Sequence, residues 1–353
     1  ISLNQNNGVN RMSTLKINLW VIGLAVMLVA CGKSSDDLLN QAKTQKALGH
    51  YDQALQLISQ AQAILPDDEA IFLFAADIYE SLGDIEISLS QCILGLEKNP
   101  ESIALLLKAS QYLSQADEWE KARTYAEKAF AVDEKNPDVL YQLGELMLKQ
   151  GLTEEAFNWY NLSFEQDSIS VNALIGMGKI KLAEKNAVEA ETYFNKAKKI
   201  NPMTAEAFSG LAQIGELNGQ DEAEIISLYQ GAIKRKNNIY EIWEPYLGFM
   251  ISSNRVEVDD LKSFNKNFPD KIEGHYILAQ YYMGLAQLES ETWLEAAIKE
   301  CDAALAINCN DDRSHGLLSK IYLMQKKPRL ALLRAQIAFE INPLASYREL
   351  VDQ

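Results

Sequence analysis

Small residues and prolines recur every 34 residues, and this period limits the fold more than any other feature of the chain. Pro66 and Pro100 lie 34 residues apart, and Pro202 follows Pro100 after 102 residues, which is three periods. Eight repeats keep the register, and they begin at Ser35, Glu69, Ile103, Pro137, Val171, Ala205, Ile272 and Asp312. Their eighth and twenty-seventh positions are Ala, Gly or Ser throughout, and the twentieth is small in all but the sixth repeat. This alignment allows for a one-residue insertion in the sixth repeat and a six-residue insertion in the eighth. Because these residue types make up about a quarter of an average chain, chance does not explain the agreement.

A period of this length is typical of two helices of about 12–15 residues joined by a tight turn. The segments around Gly83 and Gly151 supply such turns. Two helices approach closely only where the side chains between them are small, and larger apolar residues fill the space beside these contacts. One helix pair cannot bury its own apolar face, so we expect neighbouring repeats to stack and share a core.

The spacing of the small positions, the aromatic residues between them and the closing proline resemble the tetratricopeptide repeat family. The aromatic positions are Tyr79, Trp119, Tyr160, Phe194 and Tyr322. The resemblance covers about residues 35–345 and implies an all-α fold, a right-handed superhelix of nine helix-turn-helix repeats with a concave and a convex surface. We assign residues 37–239 to repeats 1–6 and residues 272–353 to repeats 8 and 9 with a capping helix over residues 345–353.

Residues 240–271 follow the register poorly. They predict two helices, over about residues 240–251 and 256–267, but Pro245 lies inside the first and the three small positions are missing. A proline within a helix removes a backbone hydrogen bond and kinks the helix. We therefore expect an irregular joint between repeats 1–6 and repeats 8–9, which is either a hinge or specific contact, or a repeat whose sequence has drifted.

The N-terminus has the pattern of an export signal. The stretch from Leu19 to Ala30 is almost entirely apolar, which is too short to span a bilayer but suits the core of a secretory signal behind Lys16. Met12 is the natural start, so we interpret residues 1–11 as an upstream extension and residues 12–30 as the signal peptide. The following LVACG sequence resembles the lipobox of bacterial lipoproteins, which implies lipidation of Cys31 and a lipidated linker over residues 31–36.

The residue after Cys31 bears on where such a lipoprotein is sorted. Gly32 stands where an Asp would resemble an inner-membrane retention signal, so the resemblance implies an outer-membrane lipoprotein that faces the periplasm. An alternative is a protein that faces the cytoplasm and is held by an uncleaved N-terminal helix. An intact N-terminus without fatty acid on Cys31 would identify that alternative.

The composition favours a folded, acidic protein and disfavours several classes of ligand. The formal net charge of −16 gives no electrostatic footprint for nucleic acid. Four Cys and three His are too few for a disulfide framework or a multi-residue zinc site, so we expect neither metal nor cofactor. A bridge between Cys301 and Cys309 is disfavoured, because about 12 Å of helix would separate them. Cys92 is expected to be buried and inert.

Other motifs have ordinary structural explanations. The sequence GMGK at residues 176–179 lacks the spacing and preceding strand of a phosphate-binding loop, and Gly178 already occupies the small eighth position of its repeat. His275 and His315 occupy a helix-packing position and have no nucleophile or second ligand at a local spacing. No Ser-His-Asp order, carboxylate pair or glycine-rich loop indicates catalysis, so we expect that the chain is not an enzyme and has no small-molecule substrate.

The resemblance implies that partners bind on the concave face, through positions 2, 5, 9 and 12 of the first helices. Carried over to this chain, these positions are Leu73, Asp77, Glu80, Leu107, Gln111, Tyr141, Glu145, Leu148, Ile175, Lys179, Leu182, Ser209, Gln213, Glu216, Tyr276, Gln280, Met283 and Lys320. The set lacks the Lys and Asn pattern that clamps a C-terminal carboxylate, so a helix or extended segment with apolar anchors suits it better. Replacing Tyr141 and Glu145 by Ala is expected to abolish partner capture without changing the melting temperature.

The sequence thus predicts a non-catalytic protein-binding scaffold, tethered in the bacterial envelope, that assists assembly of a secretion, export or pilus-type complex. By resemblance, the nine-repeat length favours polysaccharide or exosortase-linked export over the shorter pilus and insertion lipoproteins. The alternative is an adaptor that recruits or regulates an envelope hydrolase or protease.

Overall fold

The computed structural model describes residues 34–352, and within that range the secondary structure is entirely helical. Nineteen α-helices follow one another in the order α1 (Ser35–Ala47), α2 (Tyr51–Ile64), α3 (Glu69–Leu82), α4 (Ile85–Lys98), α5 (Ile103–Gln115), α6 (Trp119–Val132), α7 (Pro137–Lys149), α8 (Thr153–Gln166), α9 (Val171–Ala183), α10 (Ala187–Ile200), α11 (Ala205–Asn218), α12 (Glu222–Arg235), α13 (Tyr240–Ser252), α14 (Val258–Asn267), α15 (Glu273–Leu288), α16 (Trp293–Ile307), α17 (Asp312–Met324), α18 (Pro328–Ile341) and α19 (Ala345–Asp352).

The described helices form nine consecutive pairs followed by the short capping helix α19, which confirms the predicted repeat architecture. The two helices of a repeat pack along each other, as α1 does on α2 and α7 on α8. Second helices also contact the first helix of the next repeat, as α4 does α5 and α10 does α11. The chain divides into two compact units, one ending at Ile180 and the other beginning at Lys181.

Local sequence signals define where the helices begin. Asn136 caps α7 by accepting hydrogen bonds from the backbone N–H groups of Asp138 and Val139, and Pro137 occupies the first helical position, where no N–H is needed. Ser102 caps α5 in the same way through the N–H of Leu105. These caps satisfy backbone donors that the first helical turn leaves unpaired.

The turn between the two helices of a repeat has one conformation in most repeats. The fifteenth residue of the repeat has a left-handed backbone conformation there. Glycine occupies this position at Gly83 (φ 83°) and Gly219 (φ 64°). Residues with a side chain adopt the same conformation at Asp117 (φ 58°) and Lys185 (φ 59°). A residue with a Cβ prefers not to adopt this conformation, at a cost of about 1–2 kcal/mol. The packing of the helix pair therefore determines the turn, even where the local sequence opposes it.

The small residues of the period lie at the helix contacts, as predicted. Every residue at the eighth, twentieth and twenty-seventh positions is buried, including the polar Ser88, Ser110, Ser163 and Ser319. Ser110 Oγ donates to the carbonyl of Ala122 at 2.8 Å, and Ser163 Oγ donates to the carbonyl of Pro137 at 2.8 Å. Ser110 and Ser163 thus combine small volume with a hydrogen bond between helices.

A large aromatic side chain at the twenty-fourth position of a repeat packs against glycines on neighbouring helices. Tyr160 is fully buried there, between Gly144 on α7 and Gly176 on α9. A Cβ added at either glycine would lie 2.6 Å from the Tyr160 ring. Phe194 occupies the same position in the next repeat, and a Cβ at Gly210 would collide with its ring. Each large side chain therefore fills the space that missing glycine side chains leave.

The irregular repeat over residues 240–271 uses large aromatic residues in place of small ones. Helix α13 contains Pro245 and still forms one helix from Tyr240 to Ser252. Its buried Trp243 packs edge-to-face on Phe264 of α14, with ring centroids 5.9 Å apart, and its Tyr246 packs on Tyr229 of α12 at 5.7 Å. These residues belong to one hydrophobic core cluster of the second unit. The proposed role of this repeat as a hinge stays a prediction.

The cysteines of the described range are unpaired. Cys92 and Cys301 are buried, and burial raises the pKa of each thiol to about 12. Cys309 is exposed and free, so the disfavoured bridge between Cys301 and Cys309 is not formed. Cys31 and the apolar stretch before it lie outside the described residues, and none of the helices in residues 34–352 is long and apolar enough to cross a bilayer.

Replacing Gly176 by Ala tests the fit around Tyr160. We expect Gly176→Ala to lower the free energy of unfolding by about 1–3 kcal/mol, because the added methyl group collides with the buried ring. Gly248→Ala is the matched control, since a Cβ at Gly248 on α13 meets nothing within 4 Å. Alanine has the higher helix propensity, so the control should stabilise by up to about 1 kcal/mol in urea unfolding followed by circular dichroism. Stabilisation by both substitutions would contradict the packing described here.

Candidate functional site

The first helices of successive repeats lie side by side in the first unit and present one shared face. Helix α3 contacts α5, and α5 contacts α7. The predicted partner-binding positions on these helices form what we call the first-helix face of unit 1, and its members are Leu73, Asp77, Glu80, Leu107, Gln111, Tyr141, Glu145 and Leu148. Gln111 is exposed, and the other seven are half-buried.

An ionic cluster joins α3 to α5 on this face. Lys108 Nζ lies 3.0 Å from Asp77 Oδ1 and 2.8 Å from Glu80 Oε2. The hydroxyl of the buried Tyr112 donates to Glu80 Oε2 at 2.9 Å, and the Lys108 ammonium lies 5.1 Å from the centre of the Tyr112 ring. One lysine thus pairs with two carboxylates, and the aromatic ring next to it adds a cation–π contact.

The cluster shifts the pKa values of its members in opposite directions. Burial disfavours the charged form of Glu80, but the hydrogen bonds from Lys108 and Tyr112 outweigh it and lower the pKa of the carboxyl below its ordinary value. Burial also disfavours the ammonium of Lys108, yet its bonds to Glu80 and Asp77 raise its pKa. The cluster is therefore charged at neutral pH. Its contribution to stability is present above the ordinary pKa of a glutamate and is lost as the pH falls through the lowered pKa of Glu80.

A second cluster connects this face to the core beneath it. The hydroxyl of the buried Tyr160 donates to Glu145 Oε1 on α7, and burial next to this carboxylate raises the pKa of the tyrosine. The Tyr141 ring lies over the Tyr160 ring, with centroids 5.5 Å apart. Tyr141 and Glu145 were predicted as partner contacts, but both also hold a core residue in place. A substitution at Glu145 therefore leaves a buried hydroxyl without its acceptor, and the melting temperature is no longer expected to stay unchanged.

The apolar and neutral members complete the face. Leu73, Leu107 and Leu148 are half-buried, one on each of three neighbouring helices. The amide of Gln111 donates to Gln142 Oε1 on α7 at 3.5 Å. The face therefore offers partly accessible apolar side chains beside hydrogen-bonding groups, which suits a peptide segment with alternating apolar and polar contacts.

Helix α9 carries three further predicted positions, which differ in accessibility. Ile175 is only 8% exposed, so a partner would have to contact its neighbours instead. Lys179 is exposed and Leu182 is half-buried. The GMGK segment lies within α9 and not in a loop, and its Gly176 faces the Tyr160 ring, so its glycines have a packing role.

In the second unit, the predicted positions on α11 are largely structural. Ser209 is only 3% exposed, and the Gln213 amide donates to its backbone carbonyl and hydroxyl at 3.4 Å. Glu216 accepts a hydrogen bond from the buried Tyr229, which repeats the pairing of Glu145 with Tyr160. Burial raises the pKa of Glu216 despite this hydrogen bond. Ser209 is therefore removed from the set of accessible contacts.

The remaining predicted positions lie on α15 and α17, which contact each other. The Arg313 guanidinium lies 5.1 Å from the centre of the Tyr276 ring and forms an ion pair with Asp311 at 3.2 Å. The Gln280 amide donates to the Tyr276 hydroxyl at 3.1 Å. Met283 is half-buried and Lys320 is exposed. These residues make a small polar and aromatic face on the second unit.

The structure gives the histidines partners that the local sequence did not indicate. His275 Nδ1 lies 2.7 Å from Glu300 Oε2 on α16, and His315 Nε2 lies 3.1 Å from the carbonyl oxygen of Cys309. Both rings therefore connect helices or helix ends. Across residues 34–352, His, Cys, Asp and Glu side chains do not come together in a group of three or more that could hold a metal ion.

Sequence reasoning missed the dual role of Glu145 and Glu216. The available signal was a tyrosine at the twenty-fourth position, as at Tyr160 and Tyr229. A buried phenol needs a hydrogen-bond acceptor, and the nearest carboxylates at the ninth or twelfth position of the same repeat supply it. Only the packing of the two helices shows which carboxylate is close enough.

Comparisons with known proteins find similarity to tetratricopeptide repeat sequences. A family model described as tetratricopeptide repeat matches residues 106–167. Human protein O-mannosyl-transferase TMTC1 is 25% identical over 175 residues, which cover 48% of this chain and 20% of that protein. Human tetratricopeptide repeat protein 21B is 22% identical over 244 residues, which cover 60% of this chain and 18% of that protein. The chain thus spans about a fifth of the length of these curated relatives.

Two solved structures are similar to this chain to different extents. The crystal structure of the APC/C hetero-tetramer Cut9-Hcn1 aligns with a TM-score of 0.50 at 16% identity and covers 99% of this chain and 60% of that one. The type IV pilus biogenesis factor PilW aligns with a TM-score of 0.49 at 18% identity and covers 60% of this chain and 98% of that one. Residues 106–167 therefore match the tetratricopeptide repeat, and the same pairing of helices continues through the described residues.

A double-mutant cycle tests the coupling of face and core at Glu145. We expect Glu145→Ala to lower the free energy of unfolding by about 1–3 kcal/mol, because the Tyr160 hydroxyl loses its acceptor. In a Tyr160→Phe background, where no hydroxyl remains to be satisfied, the same substitution should cost less. Glu134→Ala, in an exposed turn, is the control and should change stability by less than about 0.5 kcal/mol. Equal costs of Glu145→Ala in both backgrounds would refute the coupling.

Proposed function

We propose that this protein is a non-catalytic scaffold that holds a helical or extended segment of a partner protein on its first-helix face. The observation that carries this proposal is the mixed character of that face in the first unit. Half-exposed Leu73, Leu107 and Leu148 lie on three adjacent helices, next to the charged cluster around Lys108 and the exposed Gln111. Apolar anchors supply affinity, and the flanking polar groups determine register and orientation.

The energetics of this face favour a segment over a small molecule. Its side chains lie on three adjacent helices, so contact with all of them requires an extended ligand. Its carboxylates already have polar partners, since Asp77 and Glu80 share Lys108, and Glu145 accepts a hydrogen bond from Tyr160. A ligand would therefore gain affinity from many modest contacts along the face.

We further propose that the scaffold is anchored in the bacterial envelope through a lipid on Cys31, after removal of a signal peptide over residues 12–30. Support comes from the short apolar core from Leu19 to Ala30 and from the lipobox-like sequence that ends at Cys31. On this proposal the protein lies on the periplasmic side of the outer membrane and assists assembly of an export or pilus-type complex. Polysaccharide or exosortase-linked export is the favoured pathway because of the number of repeats.

Site-specific photocrosslinking in the native host tests the binding face. We expect a photoreactive benzoylphenylalanine at Gln111 or Lys179, both exposed on first helices, to form adducts with a protein partner. The same group at Lys121 or Lys196, both exposed on second helices, is the matched control and should form few or none. Mass spectrometry of the adducts identifies the partner. Adducts from the control positions alone would move the binding surface to the second helices and refute the proposed face.

Mass spectrometry and thiol labelling of the purified protein test the anchor. We expect a mature N-terminus at Cys31 that carries a diacylglycerol. Native protein should then react with maleimide at Cys309 alone, because Cys92 and Cys301 are buried and their pKa values are raised to about 12. A second reactive thiol at Cys31, on an uncleaved chain, would overturn the lipid anchor and leave the scaffold role standing.

A further inference from the structure

The last helix pair exposes an unusual number of large aliphatic side chains. On α18, Leu330, Leu332, Leu333 and Ile341 are each 37 to 51% exposed, and Leu344 follows at 46%. The buried side of the same helix consists of Ala331, Ala335 and Ala338. Leucine side chains on the outward side are not needed for that packing, because the small residues already provide it.

Two equivalent second helices, α6 and α10, are polar at these positions, whereas α4 has Ile87, Ser90 and Leu94. The nineteenth, twenty-second and twenty-sixth positions are Lys121, Thr124 and Lys128 on α6 and Glu189, Thr192 and Lys196 on α10. The same positions on α18 are Leu330, Leu333 and Ile337. The outward side of α18 therefore departs from the solvated pattern of α6 and α10, and it differs from α4 in having three cations at its start.

The charge of this segment is also opposite to that of the rest of the chain. Lys326, Lys327 and Arg329 are exposed at the start of α18, and the first acidic residue after them is Glu340. The protein as a whole has a net charge of −16. Arg334 is directed at His315, with 3.2 Å between Nη1 and Nδ1, and is not counted in this surface.

We propose that the outward side of α18 docks on an anionic phospholipid surface. Exposed leucines with lysine and arginine beside them are the composition of a helix that lies in the membrane interface, with its apolar side at the level of the headgroups. Its 14 residues give a contact length of about 21 Å. Acidic parts of the surface are repelled by anionic lipid, whereas the three exposed cations at the start of α18 are attracted to it, and the exposed leucines beside them distinguish this side.

A second copy of the chain suits this surface less well. A contact between two copies through the same patch would place Lys326, Lys327 and Arg329 of each copy near those of the other, and like charges would oppose it. The headgroups of an anionic bilayer instead neutralise these three cations, and its acyl chains bury the leucine side chains. The proposal does not depend on a lipid at Cys31, because the docking residues lie at the other end of the chain.

Photocrosslinking to lipid tests the proposal on the full chain. Benzoylphenylalanine in place of Leu333 should form lipid adducts on vesicles of phosphatidylglycerol and phosphatidylcholine in equal parts, and far fewer on pure phosphatidylcholine. The matched control is the same group in place of Leu94 on α4, which is 45% exposed, where it is flanked by Glu86 and Glu97 instead of a basic cluster. Only lipid next to the photoreactive side chain forms an adduct, so a lipid anchor at the N-terminus would not produce adducts at position 333.

Substitution of the cations at the start of α18 measures how much electrostatic attraction contributes to lipid binding. Each cation near an anionic surface contributes about 1 kcal/mol, so Lys327→Gln with Arg329→Gln should weaken the α18 adduct signal by about 30-fold in lipid titrations. Lys196→Gln with Lys199→Gln removes two exposed cations from α10 and should leave it unchanged. Far-ultraviolet circular dichroism checks that each variant is folded.

Three outcomes would overturn the proposal. The first is the absence of lipid adducts at position 333 on anionic vesicles. The second is equal adduct formation at positions 333 and 94 or on both vesicle compositions, which would indicate non-specific apolar contact. The third is a protein adduct between two copies at position 333, which would assign the surface to self-association. None of these outcomes affects the partner-binding test on the first helices.

Discussion

The close approach of helices at the small-residue positions is the interaction on which the rest of the structure depends. Alanine, glycine and serine at the eighth, twentieth and twenty-seventh positions are buried in every repeat that follows the register. They bring two helices close enough for larger side chains beside them to interdigitate. Because one repeat cannot bury these side chains alone, stability is shared between neighbours, and the accessible surface is whatever the stack leaves uncovered.

Large side chains on one helix are matched by small residues on the neighbouring helices. Tyr160 is tolerated because Gly144 and Gly176 leave room for its ring, and the aromatic repeat around Trp243 reaches a filled core without small residues. The phenol of Tyr160 then requires Glu145 on the accessible face. Core and face are therefore coupled, and a loss of binding after substitution of Glu145 is interpretable only alongside a stability measurement.

Charge divides the surface into parts with different chemistry. The first-helix face of unit 1 contains carboxylates that are already paired, by Lys108 or by a tyrosine hydroxyl. Such groups orient a ligand without a large cost of leaving a buried charge unpaired. The outward side of α18 instead combines free cations with exposed leucines. The two surfaces suit different partners, a peptide segment in one case and an anionic lipid surface in the other.

The repeat, the helix pairs, the capping helix and the small contact positions are all predictable from the sequence, because they follow from a period and from residue volume, which are local properties. Tertiary structure decided what depends on distances between helices. It placed Ile175 and Ser209 in the core, although their register predicts the binding face. It also brought Glu145 within hydrogen-bonding distance of the buried Tyr160 hydroxyl. It also forced Lys185 into a left-handed turn that its own side chain disfavours, because the packing of a helix pair outweighs the preference of one residue.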